Sequence, residues 1–333
     1  MTHLVDGHGR SIRYLRISLT DRCNFRCTYC MAETMQFMPA KELLSLDEVA
    51  AIAQAFTLRG VQRIRLTGGE PLIRPGVVDL VQRLRGLPGI SELTLSTNGA
   101  LLSDLARPLR KAGLNRLNIS LDTLRADRFR TLTRTGNLRD VLAGIEAARS
   151  AGFDRLRLNA VILRGQNDDE VLDLLAFARD QQLDLAFIEE MPLGVIDGHD
   201  RARCMVPAAE ILRTLQTRHA LHPVDERSSG PARYHRMPDS LIRVGFIAPH
   251  SQNFCGDCNR LRLTATGRLL TCLGHEDGVD LRQILRGLGS ANKSAQEALQ
   301  QAIEGAVARK PAGHDFDLAQ PVRVMRFMSV TGG

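Results

Sequence analysis

The stretch that decides the fold runs from residue 14 to residue 30 and reads YLRISLTDRCNFRCTYC. Its first six residues predict a β-strand, because Arg16 and Ser18 alternate with aliphatic residues at the period of two that a pleated strand gives. Three cysteines, Cys23, Cys27 and Cys30, follow this strand directly. The stretch therefore predicts a strand whose carboxyl end carries a loop of closely spaced thiols.

The same pattern of a strand followed by a helix recurs up to residue 188. Apolar residues at helical spacing fill the intervening segments, and one of these segments begins with the capping box of Ser45 and Glu48. Repeated units of this kind favour a parallel sheet, because parallel strands need crossover helices to connect them. We therefore predict an α/β fold with six strands, at residues 14–19, 63–67, 92–96, 115–121, 155–162 and 184–188.

The pattern changes beyond Met191, where Pro192 and two glycines lead into a less periodic region. We predict that residues 1–191 form a partial (βα)6 TIM-type barrel. Residues 192–333 are then a C-terminal region that closes the barrel. Its expected elements are strands at 241–247 and 261–264 and helices at 207–219, 279–288 and 294–308.

Several of the predicted strands carry polar residues on one of their two faces. A closed barrel normally fills its interior with branched aliphatic side chains, so polar residues there indicate a lumen that holds a polar, anionic ligand. The alternative is an open sheet with one face in water. The polar positions are Arg16 and Ser18, Arg65 and Thr67, Asn118 and Ser120, and Arg157 and Asn159.

The composition of the 333 residues, 44% hydrophobic and 24% charged, is typical of a globular enzyme. The formal net charge of +7 favours an anionic partner, although a solvated basic surface would account for it equally well. Aromatic residues make up only 4% and tryptophan is absent, which argues against a stacking surface for nucleic acid. The apolar runs are short, so we expect a cytoplasmic protein with neither a membrane nor a nucleic-acid partner.

The cysteines fall into two groups, and Cys204 lies alone. The first group has the spacing Cys23-x3-Cys27-x2-Cys30. Three thiolates leave one iron of a [4Fe–4S] cluster open, whereas structural zinc prefers four closed ligands. The second group, Cys255-x2-Cys258-x13-Cys272, is ambiguous by itself, because Cys204, His250 or His275 could complete a zinc site.

The first cysteine loop, with Tyr29 just before its last cysteine, resembles the cluster loop of radical S-adenosylmethionine (SAM) enzymes. Residues 68–71, GGEP, resemble the motif of that family that receives the methionine amino group. The second cysteine group followed by residues 259–262, NRLR, resembles the auxiliary-cluster region of the GTP 3′,8-cyclase family. This likeness extends from Leu15-Arg16 to the Gly332-Gly333 end.

The resemblance implies two [4Fe–4S] clusters and SAM as cofactors. Cys23, Cys27 and Cys30 would hold the first cluster, and Cys255, Cys258 and Cys272 the second. Tyr29, Gly69, Ser120 and Met191 would contact SAM. Arg16, Arg65, Ser96, Arg157, Arg260, Leu261 and Arg262 would contact GTP, with Arg16, Arg260 and Arg262 as the catalytic residues. Several of these residues are the polar strand positions that alternation selects without any resemblance.

The implied reaction is that of a radical SAM lyase, the cyclisation of GTP to (8S)-3′,8-cyclo-7,8-dihydroguanosine 5′-triphosphate. This is the first step of molybdenum cofactor biosynthesis. The implied partners are a reductant such as flavodoxin or ferredoxin and a downstream cyclic pyranopterin monophosphate synthase, with the protein as a monomer or homodimer. The family tail is thought to reach into the site, whereas a frayed terminus is the alternative for Gly332-Gly333.

The sequence departs from the family pattern at three positions. Arg157 stands where the family generally has Lys, Ser96 where it has Thr, and Ala32 where Pro is common. Arginine is not an isosteric replacement for lysine, so the geometry of phosphate binding is expected to shift.

Two other functions compete with this hypothesis. A peptide-modifying radical enzyme would carry a peptide-docking module, of which the sequence shows no sign. A zinc-stabilised RNA-binding protein would be colourless and would bind RNA in a salt-sensitive way.

Overall fold

A sheet of parallel strands with helices packed on it forms the centre of the computed structural model, which describes residues 3–225, 230–288 and 293–332. The sheet has twelve strands in the order β12-β11-β10-β1-β2-β3-β4-β5-β6-β9-β8-β7. Their bounds are β1 Tyr14–Ser18, β2 Arg63–Thr67, β3 Glu92–Thr97, β4 Arg116–Ser120, β5 Arg155–Val161, β6 Asp184–Ile188, β7 His222–Val224, β8 Arg233–Arg236, β9 Arg243–Ile247, β10 Arg260–Leu263, β11 Arg268–Leu270 and β12 Gly278–Asp280.

Helices connect and cover these strands. Their bounds are α1 Leu46–Thr57, α2 Val77–Arg85, α3 Leu102–Lys111, α4 Ala126–Thr133, α5 Leu138–Ser150, α6 Val171–Asp180, α7 Arg201–Cys204, α8 Ala208–Gln216, α9 Leu281–Leu288, α10 Lys293–Ala308 and α11 Met328–Thr331. Short 3-10 helices occur at Ala40–Glu42, Pro71–Ile73, Asp168–Glu170 and Cys255–Asp257. None of the helices in the described ranges is both long enough and apolar enough to cross a membrane.

The predicted α/β fold with a parallel sheet is confirmed, and the six predicted strands lie within one or two residues of the observed ones. The predicted capping box is also present, since the Ser45 hydroxyl accepts from the Glu48 N–H and the Glu48 carboxylate accepts from the Ser45 N–H. Glu48 further pairs with Arg286 of α9, which ties the first helix to the C-terminal region.

The sheet is larger than the six predicted units, because two C-terminal strands extend it at its two ends. Strand β10 pairs in parallel with β1, and β9 pairs in parallel with β6. Antiparallel strands continue from both, as β11 and β12 on one side and β8 and β7 on the other. Within the described residues, the end strands β7 and β12 are not paired with each other.

The aliphatic strand positions pack outward against the helices, as the alternation predicts. Ile64 and Leu66 of β2 are fully buried in one core with Ile52 and Phe56 of α1. Removing such side chains from water is the main favourable term in folding. The polar face is covered at Asn118, which is only 1% exposed, whereas Ser120 at the end of the same strand is exposed. An open sheet with one wet face is therefore excluded at this position.

Candidate active site

The first cysteine loop lies at the carboxyl ends of the parallel strands, where catalytic groups of such sheets collect. Backbone hydrogen bonds hold it against the end of α4, from Arg26 N to Thr133 O (2.9 Å) and from Thr28 N to Leu132 O (2.9 Å). Cys23, Cys27 and Cys30 all line one chamber at this edge. We call this space the cysteine chamber.

Two glycines after β2 bring the next loop into contact with the cysteine loop. Gly69 N donates to Thr20 O at 2.7 Å, and Glu70 N donates to Arg22 O at 2.8 Å. A Cβ atom on Gly69 would overlap the carbonyl oxygen of Arg22, so only glycine fits there. The Glu70 carboxylate is buried and accepts three hydrogen bonds from residues 72, 97 and 98, and burial raises its pKa to about 7.

The residues predicted to contact SAM come together in the cysteine chamber. Tyr29, Gly69, Ser120 and Met191 all line it. Asp122 also lines it, although sequence reasoning missed this residue. Its carboxylate accepts from the Tyr29 hydroxyl at 2.6 Å and from Val161 N at 2.9 Å, and burial raises its pKa to about 6.

The thiols of the cysteine chamber have the character of metal ligands. Burial raises the pKa of Cys23 to about 11, that of Cys30 to about 12, and that of Cys27 well above its usual value. They are therefore protonated in the absence of a metal and lose their protons when one binds. Among the described cysteines, only these three line the chamber. The donor set fits a [4Fe–4S] cluster with one open iron.

A second chamber adjoins the first. The residues that line both chambers are Asn159, Ile188, Met191 and Met328. We call it the arginine chamber, because six guanidinium-bearing residues line it. Burial lowers the pKa of Arg262 to about 9, and the charge of Arg260 acts in the same direction. Such crowding of like charges favours binding of a multiply charged anion. The six are Arg16, Arg65, Arg116, Arg157, Arg260 and Arg262.

The sheet register explains why these arginines meet. Arg16 of β1 lies beside Arg65 of β2 on one side and beside Arg262 of β10 on the other. Leu261, the residue between two of the predicted ligands, is buried in the hydrophobic core. Its side chain therefore faces away from the chamber, and only its backbone could contact a ligand there.

Arg157 has specific partners at the position where the family generally has Lys. Its Nη1 donates to the Tyr234 hydroxyl at 2.9 Å, and its Nε donates to Asn159 Oδ1 at 3.0 Å. In the amide orientation that satisfies both groups, Asn118 Oδ1 accepts from Arg157 Nη2 at 2.7 Å and also from Arg65. Arg65 Nη1 further donates to Ser96 Oγ at 3.3 Å. Two predicted substrate ligands, Arg65 and Arg157, thus share one buried amide.

The second cysteine group lines the arginine chamber. Burial alone would raise the pKa of Cys258, but the charges of Arg260 and Lys310 outweigh it and lower this pKa to about 7. Arg260 also lies 4.9 Å over the Phe254 ring. Sequence reasoning missed Phe254 and Lys310, because neither carries a motif.

The alternative of a zinc site at the second group has little support. His275 Nε2 bonds to Gly313 O at 2.9 Å, His250 Nε2 bonds to Glu190 O at 2.8 Å, and Cys204 lies beside Gln166. In the part of the chain that the structure describes, no three His, Cys, Asp or Glu side chains are placed to hold a single metal ion. A four-iron cluster makes a different demand, because each thiolate binds its own iron.

Arg10 ties the second cysteine loop to the N-terminal segment. It donates to Cys255 O at 2.7 Å, to Ala312 O at 2.8 Å and to Pro311 O at 2.6 Å, while its Nε pairs with Asp6 at 2.6 Å. Sequence reasoning missed this residue, since nothing near residue 10 indicates a partner beyond residue 250.

The C-terminal helix α11 brings the chain end into the site. Gly332 O accepts from Arg262 Nη1 at 2.5 Å, and a Cβ atom on Gly332 would overlap Thr67 Oγ1. Gly332 has a φ of 76°, which favours glycine. Gly333, the other residue of the predicted tail, lies outside the described residues.

Comparisons with known proteins agree with this geometry. Residues 17–178 match the Radical SAM superfamily, and residues 183–316 match Molybdenum Cofactor Synthesis C. The parallel sheet, the three-cysteine loop and the first match together define the radical SAM class of enzymes. The division of the chain at residues 191 and 192 stays a prediction.

Curated relatives lead to one family within that class. The GTP 3′,8-cyclase of Pseudomonas putida (strain W619) is 53% identical over 331 residues, which are 99% of this chain and 98% of that protein. The GTP 3′,8-cyclase of Marinobacter nauticus is 52% identical over 332 residues, which are 100% of this chain and 99% of that protein. The chain belongs to the GTP 3′,8-cyclase family, which confirms the resemblance seen in the sequence.

Solved structures share the fold. The crystal structure of Streptococcus suis SuiB bound to SAM has a TM-score of 0.60 at 16% identity, covering 94% of this chain and 79% of that chain. SuiB bound to precursor peptide SuiA has a TM-score of 0.61 at 17% identity, covering 92% and 67%. At these identities the likeness concerns the fold alone.

Proposed function

We propose that this protein cyclises GTP to (8S)-3′,8-cyclo-7,8-dihydroguanosine 5′-triphosphate, the first step of molybdenum cofactor biosynthesis, with SAM and two [4Fe–4S] clusters as cofactors. The observation that carries the proposal is the common wall of the two chambers, which joins a three-cysteine site to a chamber lined by six mostly half-buried arginines and a second cysteine group. The full-length relatives favour this function over the peptide-modifying alternative.

In this proposal SAM and the first cluster would supply a carbon radical by one-electron cleavage, and that radical would take the ribose C3′ hydrogen of GTP so that C3′ can bond to guanine C8. A second electron, from an external reductant, and a proton would then complete the 7,8-dihydro product. The protein residues bind and orient the reactants. Arg16, Arg260 and Arg262 would bind the triphosphate, because guanidinium forks match phosphate oxygens. Met191 and Met328, which line both chambers, would keep water from the space between the reactants.

The other predicted contacts are part of the same proposal. Arg65 and Arg157 line the arginine chamber, whereas Ser96 lines the cysteine chamber. We assign Tyr29, Gly69, Ser120 and Met191 to SAM, and Arg65, Ser96 and Arg157 to GTP, together with the Leu261 backbone. Cys23, Cys27 and Cys30 would hold the first cluster, and Cys255, Cys258 and Cys272 the second.

The partners and the organisation of the chain are also proposals. Cleavage of SAM needs an electron, so we propose flavodoxin or ferredoxin as reductant. A cyclic pyranopterin monophosphate synthase would consume the product. We further propose a cytoplasmic monomer or homodimer with two regions, residues 1–191 and 192–333.

The experiment that tests the function measures both products of one turnover. Anaerobically reconstituted, dithionite-reduced protein is incubated with SAM, with and without GTP, and analysed by mass spectrometry. We expect GTP-dependent formation of 5′-deoxyadenosine together with an isomer of the mass of GTP. Formation of 5′-deoxyadenosine without loss of GTP would mean another substrate, and no change in a cluster-loaded sample would refute the proposal.

The double variant Arg260→Ala, Arg262→Ala tests the triphosphate site. We expect it to lose cyclisation while keeping the iron of the first cluster and cleavage of SAM, since neither arginine lines the cysteine chamber. Arg203→Ala is the matched control, because the Arg203 side chain is 88% exposed and lies outside both chambers. Unimpaired cyclisation by the double variant would show that these arginines do not hold the triphosphate.

A further inference from the structure

Three carboxylates line the cysteine chamber, and in two of them both oxygens accept hydrogen bonds from other residues of the protein. Asp122 accepts from Tyr29 and from Val161 N. Glu189 accepts from Ala208 N at 2.9 Å through Oε1 and from His250 N at 3.0 Å through Oε2, with Ser251 as a further donor. Both groups are therefore structural.

Glu190 is the third carboxylate and differs from the other two. It is 4% exposed, and its Oε1 accepts from His199 Nε2 at 2.6 Å and from Arg201 Nε at 2.9 Å. Its Oε2 is buried and has no hydrogen-bond partner within the described ranges. A buried carboxylate oxygen without a donor is unfavourable, so this atom indicates a ligand that supplies one.

The position of this oxygen is set by its neighbours. Arg201 is 7% exposed and also donates to Leu193 O at 2.7 Å and to Gly194 O at 2.9 Å. The Glu190 carboxylate is thus held against the loop that follows β6, and its charge is balanced by Arg201. A fixed acceptor of this kind suits recognition of a polar ligand, because the Glu190 side chain loses little conformational entropy when the ligand binds.

The place of Glu190 decides which ligand this is. Glu190 lines the cysteine chamber and not the arginine chamber, and the oxygens of an ionised triphosphate are acceptors that have no proton to donate to Oε2. SAM has a net positive charge, because its sulfonium and amino groups outweigh its one carboxylate. Its possible donors are the amino group, the adenine amine and two ribose hydroxyls. A second buried oxygen without a partner in the described part of the chain, Ser329 Oγ of α11, lines the same chamber and provides another polar contact.

We propose that Glu190 is a further binding residue for SAM, whose Oε2 accepts a hydrogen bond from a hydroxyl or amino group of that cofactor. This inference rests on the proposed function for the identity of the ligand. It adds a charged contact to the four predicted residues Tyr29, Gly69, Ser120 and Met191.

The test is the affinity for SAM of the variant Glu190→Gln. Glutamine keeps an oxygen for Arg201 but replaces Oε2 by an amide N–H, which is a donor. Anaerobic equilibrium dialysis of cluster-loaded protein without reductant measures the Kd without cleaving SAM. We expect the Kd for SAM to rise by at least about tenfold and the Kd for GTP to change by less than about twofold.

His199→Gln separates binding from a structural role, because it alters a donor to Oε1 and leaves Oε2 in place. We expect its Kd for SAM to rise by less than about threefold. An equal rise in both variants would show that Glu190 acts only through the network with Arg201, and a wild-type Kd for Glu190→Gln would also overturn the proposal.

Two smaller probes then locate the contact, and the same samples separate this inference from the proposed function. If the Kd for 5′-deoxyadenosine is higher in Glu190→Gln than in the wild type, the contact is on the nucleoside half of SAM. If the Kd for methionine is higher, the contact is on the amino-acid half. Wild-type protein that binds SAM through Glu190 but leaves GTP unchanged would retain the inference while the cyclase proposal fails.

Discussion

Gly69 allows the loop after β2 to pack against the cysteine loop, because it has no side chain. The variant Gly69→Ala should move the cysteine loop, because the new Cβ meets the rigid carbonyl of Arg22. We expect it to lose most of the iron of the first cluster and at least about tenfold in SAM affinity. Iron and sulfide analysis and equilibrium dialysis are the measurements.

Gly256→Ala is the matched control for this prediction. Gly256 lies between two cysteines of the second group, and a Cβ atom there would meet nothing within 4 Å. We expect its iron content to equal that of the wild type. Equal loss in both variants would mean that any glycine substitution near a cysteine loop disturbs cluster assembly.

Arg10 permits a prediction specific to the second cluster. Arg10→Ala removes the donors to Cys255 O, Pro311 O and Ala312 O and the ion pair with Asp6, which keeps its backbone donors His8 N and Arg10 N. We expect the variant to lose about half of its iron and sulfide and to retain cleavage of SAM, because the first cysteine group is untouched. Loss of iron from both groups, or from neither, would contradict this prediction.

Residues within one strand or one motif could be predicted from the sequence, whereas contacts between distant segments could not. The inward positions of Arg65 and Arg157 follow from alternation along their own strands. The partners Tyr234 and Asn118 of Arg157 lie on other strands, and only the sheet brings them together. For Leu261 the motif predicted a substrate contact, but the side chain lies in the hydrophobic core because of its place in the strand.

The tail helix α11 is the element on which the next prediction depends. In Gly332→Ala, the Cβ atom collides with Thr67 and the left-handed φ of 76° becomes strained, so the chain end should leave the site. We expect cyclisation to fall at least about tenfold while the iron content of both clusters persists. Faster digestion by carboxypeptidase would report the displaced tail.

Gly198→Ala is the control for backbone strain in this prediction. Gly198 has a φ of 73°, and nothing lies within 4 Å of its added Cβ. Cyclisation at the wild-type rate is the expected result. If both variants lost activity alike, a strained turn and not the tail contact would be responsible.

The pair formed by α1 and α9 gives a prediction about pH. The hydrogen bond from Arg286 lowers the pKa of Glu48, so the pair contributes stability above the unfolded pKa of about 4.3 and loses it as the pH falls through the folded value. Glu48→Gln keeps an acceptor for the capping box but removes the charge. We expect a loss of about 0.5 to 1 kcal/mol at pH 7 that shrinks towards pH 3, measured by urea unfolding. Glu33→Gln, whose side chain is 79% exposed, should show no such dependence.

Strands and helices with a strong local pattern can be predicted from the sequence, but the order in which the strands pair in the sheet cannot. The six βα units follow from periodicity and capping within each unit. The strands β9 and β10 were expected as short strands, but their places beside β6 and β1 depend on pairing across long stretches of chain. No local pattern encodes such a partner, because every strand edge offers the same backbone groups.

Six of the 44 Lys and Arg residues of the molecule line a single chamber, where their charges can act on one ligand. The protein without an anion should therefore be less stable than with one. We expect GTP at 100 times its Kd to raise stability by about 2.7 kcal/mol, and guanosine at the same concentration to have little effect. The measurement is the shift in unfolding temperature that each ligand causes. It is compared at about 0.05 and about 0.5 M NaCl, because salt screens the attraction between phosphates and arginines. Equal shifts with GTP and guanosine would show that the arginines do not recognise the phosphates.

The pairing of β1 with β10 has a consequence for synthesis of the protein in the cell. Translation makes residues 14–18 first, and their edge stays unpaired until residue 263 has left the ribosome. An exposed strand edge is a template for aggregation, so the nascent chain depends on chaperones or on rapid elongation during that interval. A messenger truncated upstream of β10 is therefore expected to yield inclusion bodies and no partly active enzyme.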